Sequence, residues 1–169
     1  MSQAPASSPA PLTKLATVSA ETVAETALTF FTAEQFAAFQ ALGDLLMPAS
    51  GGNPGAKEAG AARFLDFLLS QSPVARQTLY RNGVNRLNQE AVKRYEKPFA
   101  ALPAEQADAV LAPIKAAWTY AGPADAFAQF LLAAKEDFLQ ATVNSREWAT
   151  SPNRGRGGSG MGMHWHALE

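Results

Sequence analysis

Residues 124–148 read Ala-Asp-Ala-Phe-Ala-Gln-Phe-Leu-Leu-Ala-Ala-Lys-Glu-Asp-Phe-Leu-Gln-Ala-Thr-Val-Asn-Ser-Arg-Glu-Trp, and their spacing decides the fold class. Phe127, Phe130, Leu131, Ala134, Phe138, Ala141 and Trp148 recur at a period of about 3.6 and form one apolar stripe along a helix. Leu132, Leu139 and Val143 form a second stripe, turned roughly 140° away at about 100° per residue. A helix that is apolar on two separated faces is covered on two sides. One side is the domain's own core. The other is a neighbouring helix or another protein, and the spacing leaves both open.

Upstream of this helix, proline and capping residues mark every boundary. Thr32 with Gln35 three positions on reads as a capping box, and Phe31 and Phe36 stand at the positions of a hydrophobic staple. Phe36, Phe39, Leu42, Leu46 and Met47 share one helix face, which Pro48 ends. Asn53-Pro54 reads as an N-cap followed by proline at the first helical position, opening a helix through Phe64, Phe67 and Leu68. Ser72-Pro73 repeats the pattern and starts a helix to about Lys97, with Tyr80, Val84, Leu87, Ala91 and Tyr95 on its apolar face. Glu90 and Arg94 make a favourable i,i+4 pair on it. Pro103 starts a further helix to Ala112, Pro113 kinks it or begins a short sequel reaching Trp118, and Gly122-Pro123 breaks the chain again. No run alternates with period two. The expected fold is all-α: a single compact domain of five or six helices, the longest at about 73–97 and 124–148.

The 169 residues suit one domain, large enough to fold without a metal or disulfide. Cysteine is absent, which excludes disulfides, thiolate catalysis, iron–sulfur ligation and c-type haem attachment. Fourteen basic residues against fifteen acidic ones leave a net charge of −1, without the basic excess of a nucleic-acid-binding surface. No apolar run approaches the roughly 18 residues of a membrane span. Residues 1–30, rich in Ala, Ser, Thr and Pro, read as an extended or disordered arm, residues 31–150 as the helical domain, and residues 151–169 as a Gly-rich tail. Neither end has the apolar periodicity that repays ordering, so each is expected to be ordered only where a partner covers it.

Candidate chemistry is sparse. His164 and His166 lie two apart beside Met161, Met163 and Trp165, a set able to hold a soft metal such as copper. Their glycine-rich setting favours the plainer reading, in which the Met, Trp and His side chains dock against a partner. Arg154-Gly-Arg-Gly-Gly is too short for an RNA-binding tail on a near-neutral chain. Gly51-Gly52-Asn53-Pro54-Gly55 precedes a helix without the Gly-Lys-Ser/Thr of a phosphate cradle. Glu136, Asp137 and Glu147 are acids on helix faces with no partner that spacing can name. Asp66 and Arg63 read as helix surface. No triad, carboxylate pair or metal cage emerges, so catalytic, cofactor-binding and metal residues are all expected to be none. The residues expected to meet a partner are Leu132, Leu139, Val143, Trp148, Met161, Met163, His164, Trp165 and His166.

The ordered set Phe30-Phe-Thr-Ala-Glu-Gln-Phe, Leu45-Leu-Met-Pro-Ala, Pro54-Gly-Ala-Lys-Glu-Ala-Gly-Ala-Ala-Arg-Phe-Leu-Asp-Phe-Leu-Leu, Lys135-Glu-Asp-Phe-Leu and Asn144-Ser-Arg-Glu-Trp148 resembles the gluconate 2-dehydrogenase subunit 3 family over about residues 30–150. The resemblance implies a small helical subunit without cofactor, paired with a large FAD-containing flavoprotein of the glucose–methanol–choline type. That partner acts on gluconate, glucose, fructose or glycosides, and a c-type cytochrome often takes its electrons. The small subunit would help the flavoprotein fold and reach the periplasm through a twin-arginine signal. No Arg-Arg pair stands near Met1, so the resemblance leaves a periplasmic chain with its signal removed beside a cytoplasmic one. The other readings are a stand-alone helical adaptor or binding protein, and an enzyme whose tail histidines bind metal.

Overall fold

The capping box at Thr32 forms as its sequence requires. In the computed structural model, which describes residues 28–115 and 122–152, the Thr32 hydroxyl accepts from Gln35 N and the Gln35 side chain accepts from Thr32 N. Helix α1 follows over Ala33–Leu46. It is succeeded by α2 (Ala61–Ser70), α3 (Val74–Tyr95), α4 (Ala104–Val110), α5 (Ala126–Val143) and α6 (Arg146–Ala149), with 3-10 turns at Phe99–Ala101 and Ala112–Lys115. The described residues contain these six α-helices and no strand. The all-α expectation holds.

Helix α5 is the centre of the bundle, packed against α1, α2 and α3. Phe127, Phe130, Leu131, Ala134 and Phe138 of its first stripe are buried, as the period demands. On α3, Tyr80, Val84, Leu87 and Ala91 are fully buried, and the Glu90–Arg94 pair forms at 3.3 Å. The rings join into one aromatic chain: Phe31 on Phe39 at 4.9 Å, Phe39 on Phe138 at 4.7 Å, Tyr80 on Phe130 at 5.5 Å. Such contacts add to the area each ring buries.

Two glycines set the helix spacing. A Cβ on Gly83 of α3 would fall within the Phe130 ring's van der Waals shell, and one on Gly43 of α1 would meet the Phe138 ring in the same way. Each phenyl therefore rests on bare backbone.

The structure corrects the sequence reading at three boundaries. The helix expected from Asn53-Pro54 begins only at Ala61. Residues 53–60 instead fold back on the end of α1, with Ala56 N donating to Met47 O at 2.8 Å and Gly55 pressed against the Met47–Ala49 backbone. Gly60, in the left-handed region at φ 62°, turns the chain into α2. At α3 the N-cap is Pro73 itself, because the Ser72 hydroxyl donates backward to Leu68 O. The helix expected to continue to Trp148 stops at Val143. Asn144 ends it and Ser145 caps the short α6 by accepting from Trp148 N, so Trp148 leaves the first stripe. The possible sequel around Trp118 lies outside the described residues.

Gly83→Ala is expected to lower the thermal midpoint. Overpacking of a filled core costs about 1–3 kcal/mol, and at a ring this tightly placed it exceeds the roughly 1 kcal/mol that alanine gains in helix propensity. Thermal unfolding followed by circular dichroism measures it.

Candidate functional site

Asp66 occupies a position quite unlike helix surface. It is buried on α2, and its carboxylate accepts from three consecutive backbone amides: Thr29 N at 2.6 Å, Phe30 N at 3.2 Å and Phe31 N at 2.8 Å. The Thr29 hydroxyl adds a fourth bond at 3.0 Å. Backbone amides converging on an anion make strong, charge-assisted bonds. Leu28–Phe30, assigned from sequence to the arm, are thereby tied to the fold, and Phe30 and Phe31 are buried. Residues 1–27 lie outside the described residues.

The apolar positions marked on α2 face outward. Phe64 is 54% exposed, Phe67 56% and Leu68 39%, while Ala61, Leu65, Asp66 and Leu69 turn inward. Beside this face runs a groove of about 490 Å³ between α2 and the corner where α5 gives way to α6. Phe64, Leu65 and Leu68 form one side; Ala141, Asn144 and Arg146 stand on the other.

The second stripe of α5 is elsewhere. Leu139 is 45% exposed, and Leu132 and Val143 are half-buried. At about 100° per residue, this stripe points roughly 130° away from the groove-lining face of α5. Trp148 is half-buried on α6. Met161, Met163, His164, Trp165 and His166 lie outside the described residues. The domain thus presents two separate apolar surfaces, of which sequence reasoning named only one.

Asp137, given no partner from spacing, has two. Its carboxylate pairs with Arg76 of α3 and accepts from the Tyr80 hydroxyl, while the Arg76 guanidinium lies 5.5 Å from the Tyr80 ring centre. Burial, and then the Asp137 charge, hold the Tyr80 hydroxyl far above the ordinary phenol range. It therefore stays a proton donor, a structural tie between α3 and α5 rather than a base. The partners are 57 and 61 residues away in sequence, so only the bundle brings them together. Asp44 differs. It lines a smaller cavity of about 220 Å³ with Gln40, Lys57 and Arg63, and its Oδ1 is buried without a hydrogen-bond partner. Burial raises its carboxyl above the usual range, Lys57 pulls it back in part, and Glu58 pushes it up further.

Arg146 is the one cation in the groove's lining, set beside Glu147 and Asp137. Among the described residues, no group of three or more His, Cys, Asp or Glu is placed to hold a metal ion, and no helix is long and apolar enough to cross a membrane.

Fold and surface together define a small domain, all-helical among the described residues, with large apolar side chains exposed on α2 and α5. The family model described as Gluconate 2-dehydrogenase subunit 3 matches residues 33–154, and the chain belongs to that family. No curated protein and no solved structure matches it.

Asp66→Asn places an amide where three backbone donors point and should cost about 1–3 kcal/mol, read as a lower midpoint in urea unfolding. Asp44 carries a pH signature. Its raised pKa means the fold holds that proton more tightly than the unfolded chain does. Its penalty is therefore absent below the unfolded value of 3.8 and sets in as pH rises through the higher folded value. Asp44→Asn should be more stable than the parent near neutral pH, and the gain should vanish by about pH 3, as paired thermal melts across that range will show.

Proposed function

We propose that this chain is the non-catalytic small subunit of a heteromeric dehydrogenase, whose large subunit is an FAD-containing flavoprotein of the glucose–methanol–choline type acting on a sugar or glycoside. The observation that carries this reading is membership of the gluconate 2-dehydrogenase subunit 3 family across residues 33–154. Such a subunit works by contact. The flavin and the reacting sugar belong to the large subunit, this chain holds it in a folded, exportable form, and a c-type cytochrome in the same complex would take the electrons. On this reading the complex works in the periplasm, the small subunit travelling with its partner.

The second stripe of α5 is proposed as the contact. Leu139 is 45% exposed near the C-terminal end of the central helix, flanked at i−7 and i+4 by the half-buried Leu132 and Val143. Full burial of one such side chain is worth roughly 1.5–3 kcal/mol of transfer free energy. Only part of that becomes affinity, because association has its own entropic cost. Phe138, one residue earlier, is fully buried against Phe39 and Gly43 and serves as the internal control.

Co-expression with the flavoprotein tests the reading. Leu139→Glu should leave the small chain helical by circular dichroism and lower the yield of dye-linked sugar oxidation, whereas Phe138→Glu should unfold the small chain itself. A flavoprotein that is fully active when expressed without this chain would refute the accessory role.

A further inference from the structure

Phe64 and Leu68 give the α2 groove an apolar rim, with Ala141 and Leu65 deeper in its lining. We propose that the chain covers this groove itself, with Met161, Met163 and Trp165 of its C-terminal segment seated between α2 and the α5–α6 corner. This goes beyond the accessory reading and does not depend on it.

The first argument is where the described chain stops. Arg146 and Glu147 of α6 form part of the groove wall, and Pro152 follows only five positions after Glu147. The Ser151 hydroxyl is held at 2.7 Å by the Asn53 side chain. Five extended residues cover at most about 17 Å. Residues 153–160, Asn-Arg-Gly-Arg-Gly-Gly-Ser-Gly, are eight residues, a length that can span at most about 27 Å. That suffices to return Met161 to the groove.

The second argument is chemical fit. Beyond Pro152 the large apolar residues are Met161, Met163, Trp165 and Leu168, three of them within five positions. Methionine adapts to irregular apolar gaps. An indole needs an apolar bed with an acceptor at its edge, and Gln140, Asn144 and Glu147 supply acceptors along the groove. A short tether also raises the local concentration of the segment to the millimolar range, so even a weak site is filled in cis.

Thr29–Phe31 sit on Asp66, and Asp66 lies roughly 160° around α2 from Phe64, so the described start of the chain and the groove are on opposite flanks of the same helix.

The test uses the full isolated chain, isotope-labelled for NMR, with no flavoprotein present. Nuclear Overhauser contacts are expected between the Trp165 indole and the side chains of Leu68 and Ala141. Leu68→Glu should abolish them and move the indole N–H resonance to that of an exposed tryptophan. Reciprocally, Trp165→Ser should shift the amides of residues 59–68 and 140–147 while leaving residues 33–46 in place. Leu68 is exposed, and Phe64→Ser, also at an exposed position, carries the same test should Leu68→Glu disturb folding. Groove amides unmoved by Trp165→Ser would overturn the proposal. So would indole contacts that appear only as protein concentration rises, since these would assign the groove to a second copy.

Discussion

Two phenyl rings resting on two glycines set the spacing on which the rest of the bundle depends. Phe130 meets α3 at Gly83 and Phe138 meets α1 at Gly43, so α5 approaches both helices more closely than any side chain on those positions would permit. That approach brings Tyr80 edge-on to Phe130 at 5.5 Å and places its hydroxyl on Asp137, one residue before Phe138. The buried phenol and its carboxylate, the latter at the edge of the groove, then tie α3 to α5. Packing and polar pairing reinforce each other there: the rings fix the distance, and the hydrogen bond fixes the rotation.

Because the core is made by one face of α5, its other directions are available. The side toward α2 forms a groove with Phe64 and Leu68, and the side bearing Leu139 stands open on its own. A domain of this size has room for one aromatic core, and additional apolar side chains must then sit at its surface. Asp66 on its backbone amides ties the segment before α1 to α2, and Asp137 between Arg76 and Tyr80 ties α3 to α5.

The legible part of the fold was the part governed by periodicity. Val84, Leu87 and Ala91 on α3, and Phe127, Phe130 and Phe138 on α5, are buried where the helical period put them, because regular helices bury whatever recurs on one face. Local chemistry misled where two signals competed. Asn53-Pro54 has the form of a helix start, yet Gly55 and Gly60 let the backbone fold onto α1 first, and the helix waits for Ala61. Asn144-Ser145 has the form of continued helix, yet the Ser145 side chain captures Trp148 N and cuts α5 short. The outward face of α2 was not legible at all. Phe64, Phe67 and Leu68 look like core by composition, and only the buried Asp66 between them shows which way the helix turns. A charged residue amid an apolar run was the available signal, and its partners are backbone amides 35 to 37 residues away, which no residue pattern announces.

The bond between Asp66 and the amides of Thr29, Phe30 and Phe31 also has a meaning for the chain as a polymer. It closes a loop of 35 to 37 residues that contains the whole of α1 and the turn after it. Once that loop is shut, α1 is leashed at both ends, and its excursions are confined to the radius of the leash. The restraint is made by a carboxylate gripping main chain, so it is indifferent to which side chains occupy positions 30 and 31. It acts as a reversible cross-link in a chain that contains no cysteine to make a covalent one.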